Sequence, residues 1–118
     1  MASSSLDLLH ISTPAAWAAA QVAGEYRDPS LDTEGFIHLS TPAQVLIPAN
    51  ERYAGRDDLV LLVISGDRLR APLVFEDSYG SGTEFPHVYG PIDLDAVVAV
   101  VPFPPNDDGT FDLPALWR

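Results

Sequence analysis

A seven-residue segment occurs twice in this chain, and the repeat constrains the fold more than any other feature of the sequence. Residues 9–15 read LHISTPA and residues 37–43 read IHLSTPA. Each copy places a histidine, His10 or His38, two residues before a Ser-Thr-Pro sequence, and a hydroxyl N-cap followed by proline is typical of a helix start. The repeat therefore predicts two strand-to-helix units, each with an imidazole near the end of its strand.

Apolar runs, prolines and glycines predict the other elements. We expect strands over residues 6–11, 36–39, 59–64, 73–76, 88–89 and 96–101, helices over residues 15–22 and 43–53, and irregular loops over residues 25–34 and 77–83. Gly24 is expected to end the first helix, and Pro48 to kink or split the second. The continuous apolar run 59–64 predicts a strand that is buried on both faces. This order of elements favours an α+β fold, in which the proline-rich tail from Pro102 lies along the surface.

The length of 118 residues suits one domain over residues 1–118. Six arginines, no lysine and 17 acidic residues give a formal charge of −11. Such a charge repels polyanions, so we expect no nucleic-acid partner. The absence of lysine excludes a Schiff base or a P-loop lysine, and the absence of cysteine excludes a disulfide, a thiolate nucleophile and a cysteine zinc site.

Residues 1–5 are polar and are not followed by a long apolar run, which is unlike a signal or transit peptide. The longest apolar run, residues 59–64, is far shorter than the roughly 20 residues that a bilayer requires. We therefore expect a cytoplasmic protein with no membrane partner. The sequence leaves the oligomeric state open.

The third histidine, His87, lies in the sequence FPHVYGP, where two prolines and two aromatic rings form a rigid setting that can aim a side chain. We expect His10, His38 and His87 to meet in one cleft. An imidazole, with a free pKa of about 6.5, can exchange protons there at neutral pH. Glu76, at the end of a predicted strand, is a candidate acid or base. If the protein is an enzyme, the pattern predicts catalytic roles for His38, His87 and Glu76.

Other interpretations of these residues stay open at this point. Ser-Thr-Pro is also ordinary capping chemistry, so a histidine beside it can have a purely structural role. Three imidazoles with Glu76 as base would suit zinc with an open water position, but no two histidines have the short spacing of a metal motif, and no metal ligands are assigned. A serine hydrolase is not indicated, because Ser12 and Ser40 occupy cap positions and the chain has no Gly-x-Ser-x-Gly motif.

The segments GFIHLS at residues 35–40 and FPHVYG at residues 85–90 are specific in combination. With their spacing they resemble the small bacterial family called domain of unknown function 952, over about residues 8–101. That family is similar to a compact ADP-ribosyltransferase fold, which has small, split and curved antiparallel sheets and two main N-terminal helices. Better known members of that fold bind NAD in the cleft. The resemblance therefore implies an ADP-ribosyltransferase-like α+β fold, with NAD as the first candidate cofactor.

The resemblance also implies site residues. His10-Ile11-Ser12 resembles the His-Gly-Thr or His-Gly-Ser motif that contacts the nicotinamide-side ribose in those relatives, with an isoleucine in place of the glycine. His38-Leu39-Ser40 resembles a segment of the RNA 2′-phosphotransferases, which use NAD to remove a phosphate. The residues expected to contact a cofactor, from these motifs or from their place beside them, are His10, Ser12, Thr13, His38, Ser40, Asn50, Tyr53 and Tyr89.

The leading hypothesis is that a histidine-lined cleft binds a small nucleotide-like or phosphorylated ligand, and that any activity is that of a transferase acting on a small molecule. Because cations are few, a phosphate would be held mainly by helix N-termini at residues 12–13 and 40–41. Two alternatives are a non-catalytic binding module that keeps the fold, and a histidine-based, metal-dependent hydrolase.

Overall fold

The computed structural model describes residues 7–117, which contain eight β-strands and three α-helices. The strands are β1 (Asp7–Ser12), β2 (Glu25–Tyr26), β3 (Ile37–His38), β4 (Val60–Ser65), β5 (Leu73–Glu76), β6 (Phe85–Val88), β7 (Ile92–Asp93) and β8 (Val97–Pro102). The helices are α1 (Pro14–Ala23), α2 (Pro29–Thr33) and α3 (Leu46–Arg52), and short 3-10 turns cover Gly66–Arg68, Leu94–Ala96 and Ala115–Trp117. No helix within residues 7–117 is long and apolar enough to cross a membrane.

The strands form three antiparallel sheets, so the fold mixes helices and antiparallel strands as the α+β prediction requires. The central sheet has the order β1-β4-β8, the side sheet has the order β3-β6-β5, and β2 pairs with β7. An isolated bridge connects the central sheet to the end of β3, where the backbone groups of Leu9 and Ser40 exchange hydrogen bonds of 2.7 and 2.8 Å. This bridge places the two copies of the repeat side by side.

The central strand β4 is buried on both faces, which confirms the prediction from its apolar run. Leu62 and Ile64 pack in one hydrophobic cluster, whereas Leu61 and Val63 pack in a second. The side chains alternate in this way because successive residues of a strand point to opposite faces of the sheet. The first cluster is completed by α1 and the two smaller sheets, and the second by α3 and the segment after β8.

The other strands lie close to the apolar runs that predict them. The ends of β3, β4, β5 and β8 differ from prediction by at most one residue. The strand β6 begins three residues before its predicted start. The prediction missed these residues because they include Pro86, and proline is rare inside a central strand. Residue 6 of the first predicted strand and the polar segment 1–5 lie outside the described residues.

The helix α1 begins and ends where the sequence indicates. Thr13 is the N-cap, and its Oγ1 atom accepts a hydrogen bond of 3.1 Å from the backbone N–H of Ala16. Pro14 follows in the first turn, where a missing N–H removes no helical hydrogen bond. Gly24 ends the helix with a φ of 89°, a left-handed conformation that glycine adopts without steric penalty.

The second predicted helix begins three residues later than the sequence indicates. The segment 42–45 forms turns, and α3 begins only at Leu46. The reason is Pro48, which has no N–H to donate to the carbonyl of Gln44 and therefore interrupts a regular helix that would start at residue 43. In α3 it occupies the first turn, where no such bond is needed. The predicted helix N-terminus at residues 40–41, and the anion site it would provide, are therefore absent from the described structure.

The segment 25–34 is ordered, which corrects its prediction as an irregular loop. It contains β2 and α2, and the helix signal is Asp28 followed by Pro29. Oδ2 of Asp28 accepts a hydrogen bond of 3.0 Å from the backbone N–H of Ser30, as an N-cap does.

The tail after β8 is also different from its prediction. Phe103 and Phe111 are 1% and 2% exposed, and their rings stack with centroids 4.6 Å apart. They belong to the second hydrophobic cluster. The prediction that the tail lies along the surface holds for most of residues 102–117 but not for these two rings, which cover one face of the central sheet.

Candidate functional site

A cavity of about 350 Å³, here called the main cavity, lies between the side sheet, α3 and the loop 77–84. Its polar lining includes His38, Ser40, Arg52, Tyr79 and His87, together with the acidic residue Glu51. Its volume falls within the range of roughly 300–1,000 Å³ that is usual for small-molecule sites. Two of the three histidines that the sequence singles out therefore share one cavity.

His87 is tightly held in the wall of the main cavity. Its side chain is 1% exposed, and its ring stacks on Phe36 with centroids 4.1 Å apart and planes at 14°. Its Nδ1 atom lies 2.9 Å from Oε2 of Glu76. The hydroxyl group of Tyr89 donates a hydrogen bond to the same oxygen. The predicted residues Glu76, His87 and Tyr89 thus form one connected group.

The protonation of this group follows from its hydrogen bonds. Hydrogen bonds from Tyr89 and His87 hold the pKa of Glu76 below its usual value, and the bond to Glu76 raises the pKa of the Tyr89 hydroxyl. An ionised carboxylate only accepts, so Nδ1 of His87 carries a proton and donates it. In the neutral ring Nε2 then has a lone pair. Within residues 7–117, this buried Nε2 has no hydrogen-bond partner.

A second carboxylate–imidazole pair lies beside the first. Nε2 of His38 is 3.0 Å from Oε2 of Glu34, and its ring lies edge-on to that of His87 with centroids 5.3 Å apart. The Tyr79 hydroxyl donates to Oε1 of Glu34 across 2.7 Å, and the Tyr79 ring stacks on His38. Hydrogen bonds from His38 and Tyr79 lower the pKa of Glu34, while burial and the nearby Glu34 raise that of Tyr79. Each imidazole of the main cavity therefore faces its own carboxylate.

Arg52 is the cation of the main cavity. Its guanidinium carbon lies 5.7 Å from the centroid of the Tyr79 ring, which is a cation–π distance. Three other arginines bind carboxylates directly, namely Arg27, Arg56 and Arg70. No salt bridge to Arg52 occurs in the part of the chain that the structure describes, although its charge helps to lower the pKa of the nearby Glu34 carboxyl.

His10 lies in a separate, smaller cavity of about 60 Å³, which His38 and Arg52 also line. The His10 side chain is 6% exposed, and its Nδ1 atom donates to the backbone carbonyl of His38 across 2.6 Å. Its Nε2 atom lies 2.9 Å from the Tyr26 hydroxyl and 3.5 Å from Oδ1 of Asp28. Both ring nitrogens are engaged within the protein. Neither of these two cavities is lined by all three imidazoles, since His38 shares the main cavity with His87 and the smaller one with His10.

The polar groups around His10 form a buried network. The Ser12 hydroxyl lies 2.8 Å from the Tyr26 hydroxyl, so Ser12 also contacts protein groups. Burial raises the pKa of Tyr26 to about 12. The hydrogen bond with His10 is the main reason why the pKa of Asp28 lies far below its usual value. These residues form a buried polar cluster between β1, β2 and the N-terminus of α2.

The remaining predicted contact residues are spread over the fold. Ser40 lines both cavities, and Tyr53 lines the smaller one. Thr13 lines neither of these cavities, since its side chain caps α1. Oδ1 of Asn50 accepts a hydrogen bond of 2.8 Å from the backbone N–H of Phe111, which connects α3 to the tail. Their roles in ligand contact stay predictions.

No group of three or more histidine, aspartate and glutamate side chains in residues 7–117 is placed to hold a metal ion. The pairing explains this result, because Nε2 of His38 and Nδ1 of His87 contact two different carboxylates. The zinc alternative therefore has no ligand set among these residues.

Arg52 and Tyr79 were not predicted as site residues from the sequence. Arg52 has a weak signal, since it is one of only six cations and stands next to Tyr53 in a predicted helix. Tyr79 lies in a loop rich in glycine and serine, and its main polar partner, Glu34, is 45 residues away in the chain. No local pattern indicates a contact over that separation.

The model of the family described as "Protein of unknown function (DUF952)" matches residues 11–100 of the chain. The chain belongs to the DUF952 family. The match includes every residue that lines the main cavity, and it confirms the resemblance to domain of unknown function 952. No curated protein matches this DUF952 chain.

Solved structures of the protein CC0527 from Caulobacter crescentus are similar to this DUF952 fold. A crystal structure of CC0527 has 30% sequence identity and a TM-score of 0.83, covering 94% of this chain and 97% of that chain. A double mutant of CC0527 has 29% identity and the same TM-score and coverage. The solution NMR structure has 30% identity and a TM-score of 0.75, covering 92% and 93%.

Proposed function

We propose that this protein binds a small anionic ligand of the nucleotide class in the main cavity, with NAD as the first candidate. The observation that carries the proposal is a cavity of about 350 Å³ that is lined by Arg52, His38 and His87. This volume is usual for a small-molecule site. A guanidinium offers fixed hydrogen-bond donors that match an anionic group, which favours an anionic ligand over an apolar one.

Arg52 indicates the charge of the ligand. Three of the five arginines in residues 7–117 pair with carboxylates, whereas Arg52 lines the main cavity without a salt bridge among the described residues. Hydrogen bonds between a guanidinium and a phosphate or carboxylate are among the stronger ones in proteins. An anionic group beside Arg52 is therefore the favoured partner.

The likeness to the ADP-ribosyltransferase fold is part of this proposal. It is supported by the small antiparallel sheets and by the segment His38-Leu39-Ser40, all three residues of which line the main cavity. A volume of about 350 Å³ suits a group of mononucleotide size better than a whole dinucleotide. Of NAD, the cavity would therefore hold one nucleotide part, with its phosphate and ribose hydroxyl groups.

The test is a titration of NAD and of ADP-ribose into the wild-type protein, followed by calorimetry and by NMR of the imidazole resonances. We expect saturable binding that perturbs His38 and His87, and at least tenfold weaker binding in Arg52→Gln, which corresponds to about 1.4 kcal/mol. Arg70→Gln is the matched control, because its guanidinium is exposed and pairs with Asp93 outside the main cavity. Unchanged imidazole resonances at millimolar ligand would contradict the proposal.

A further inference from the structure

The two cavities share a wall, because His38, Ser40, Pro48 and Arg52 line both of them. Resting on the proposed function of the main cavity, we propose that the smaller cavity is a second part of the same binding site. It takes a neutral, hydroxyl-bearing group of the ligand, such as a sugar, and the carboxylate of Asp28 accepts the hydrogen bonds of that group.

The polar lining of the smaller cavity is accessible from solvent. The side chains of Asp28 and His38 are each 27% exposed, and Arg52 is exposed as well. The imidazole of His10 is buried, and its two nitrogens contact protein groups. The ligand contacts are therefore assigned to Asp28 and Arg52, which a group entering from solvent meets first.

The carboxylate of Asp28 has acceptor capacity that the protein does not use. Its Oδ2 atom accepts one hydrogen bond of 3.0 Å from the backbone N–H of Ser30. Its Oδ1 atom has only a long contact of 3.5 Å with Nε2 of His10. The pKa of this carboxyl is held below its usual value, so it is ionised at neutral pH and offers about four acceptor positions. Hydroxyl hydrogens of a ligand can occupy those that are left.

The charges of the lining favour a neutral group. Within residues 7–117, the smaller cavity is lined by one carboxylate, Asp28, one guanidinium, Arg52, and two imidazoles, His10 and His38. An ammonium group in this space would lie close to Arg52, and a phosphate or carboxylate would lie close to Asp28. A hydroxyl group avoids both repulsions, and it can donate to Asp28 while it accepts from Arg52.

The size of the smaller cavity limits what it can take. Its volume is about 60 Å³, whereas a single water needs roughly 10–15 Å³ of such space. The cavity therefore has room for the hydroxyl-bearing edge of a sugar, but a nucleobase is too large for it. The nucleotide part of the ligand belongs in the main cavity, which is about six times larger.

The phosphate that joins the two parts is assigned to the shared wall beside Arg52. The acidic residue Glu51 lines the main cavity and opposes a phosphate there. Glu51 and Arg52 are consecutive residues of α3, however, so their side chains leave the helix in different directions. The other nearby carboxylate, Glu34, is already bound by His38 and Tyr79. A nucleotide part, a phosphate and a sugar in this order are the parts of ADP-ribose.

The first experiment compares ADP-ribose with ADP, which lacks the terminal ribose, by calorimetry. We expect the wild-type protein to bind ADP-ribose at least tenfold more tightly than ADP. Asp28→Asn should bind ADP-ribose at least tenfold more weakly than the wild type, while its affinity for ADP should not fall. Asp32→Asn is the matched control, because it changes an exposed carboxylate of the same helix outside both cavities and should keep both affinities.

The ratio of the two affinities separates ligand contact from a structural role of Asp28. Asparagine keeps the N-cap of α2, and a structural defect would weaken the binding of both nucleotides together. Equal wild-type affinities for ADP and ADP-ribose, or an unchanged ratio in Asp28→Asn, would overturn the sugar site. Binding of both nucleotides without this selectivity would still support the proposed function.

The second experiment uses methyl β-D-ribofuranoside, a neutral sugar with no base and no phosphate. We expect it to shift the ring resonances of His10 in a saturable manner in the wild type and not in Asp28→Asn. Ethylammonium chloride is the cationic comparison and should shift them less. A larger shift with ethylammonium, or no shift at high millimolar riboside, would contradict a site for a neutral sugar.

Together the two experiments distinguish failure of this inference from failure of the proposed function. If neither nucleotide binds and the riboside shifts His10 only when Asp28 is present, the sugar site is supported and nucleotide binding is contradicted. If the nucleotides bind equally and the riboside has no effect, nucleotide binding is supported and the sugar site is overturned. No response to any of the three ligands would overturn both.

Discussion

The imidazole of His10 donates its Nδ1–H to the backbone carbonyl oxygen of His38 across 2.6 Å, so the first histidine of the repeat holds the backbone of the second. The bridge between Leu9 and Ser40 lies beside this bond. Two similar segments therefore have different tasks. The first copy supports the end of β3, and the second copy carries its histidine to the main cavity.

We predict that His10→Ala destabilises the fold by about 2–4 kcal/mol, because it removes the partner of the His38 carbonyl and one of the two partners of the buried Tyr26 hydroxyl. Urea unfolding followed by circular dichroism measures the change. Val22→Ala is the control, since Val22 is 91% exposed on α1 and its truncation should change stability by less than about 0.5 kcal/mol. A His10→Ala protein as stable as the control would refute the supporting role.

The loss of folding stability at acid pH should depend on Asp28. Its pKa is held below the usual value, mainly by the hydrogen bond with His10, so the folded state favours the carboxylate. The stabilisation is therefore complete above the unfolded pKa of about 3.9 and is lost as the pH falls below it. Asp28→Asn should show a smaller loss of stability between about pH 4 and pH 3 than the wild type.

Asparagine is a suitable replacement because it caps helices as well as aspartate does, and α2 keeps its N-cap. Glu34 and Glu76 keep their own lowered pKa values, so the variant should flatten the curve without abolishing its slope. Asp32→Asn, which changes an exposed carboxylate, should parallel the wild type. If Asp28→Asn also parallels the wild type in urea unfolding at these pH values, the coupling to His10 is disproved.

Close packing of Gly90 against Ala71 explains why the FPHVYGP motif has a glycine at this position. A Cβ atom added at Gly90 would lie 2.7 Å from Cβ of Ala71, which is far inside van der Waals contact. We predict that Gly90→Ala destabilises the protein by about 1–3 kcal/mol, as overpacking does. Thermal unfolding of the double variant Gly90→Ala/Ala71→Gly should recover most of this loss. A double variant no more stable than Gly90→Ala would show that the contact is not the cause.

The buried tail gives a fourth prediction. Phe111→Ala should cost about 3–5 kcal/mol, because the ring is 2% exposed and stacks on Phe103. Leu116→Ala is a truncation in the same tail at a side chain that is 67% exposed, and it should cost less than about 0.5 kcal/mol. Similar unfolding midpoints for the two variants in urea would mean that the tail is not part of the core.

Local chemistry made several elements predictable. Thr13, Pro14 and Gly24 fix the ends of α1 through short-range capping, and the apolar run of β4 needs no knowledge of its partners. The errors arise where a residue farther along the chain, or a contact with another part of the fold, decides the local structure. Pro48 prevents the helix that Ser-Thr-Pro would begin, and Phe103 is buried because another part of the chain offers it an apolar surface.

The same distinction holds for the candidate site. The motif of His87 and the strand end of Glu76 are visible in the sequence, and the structure places the two side chains in contact. Arg52 and Tyr79 join them through α3 and through a loop whose contacts are set by tertiary packing. His10 shows the opposite error. Its motif is similar to that of His38 and so predicted the same role, but the two side chains have different surroundings in the structure.

The order β1-β4-β8 has a consequence for the way the chain acquires its structure. The contacts of β4 join distant parts of the chain, since Val60 pairs with Ser12 on one side and with Pro102 on the other. Contacts this distant in sequence make folding slow compared with that of helical bundles. During synthesis on the ribosome, the apolar side chains of β4 stay uncovered until β8 and Phe111 have emerged, so a stalled nascent chain is expected to be the form most exposed to aggregation and to chaperones.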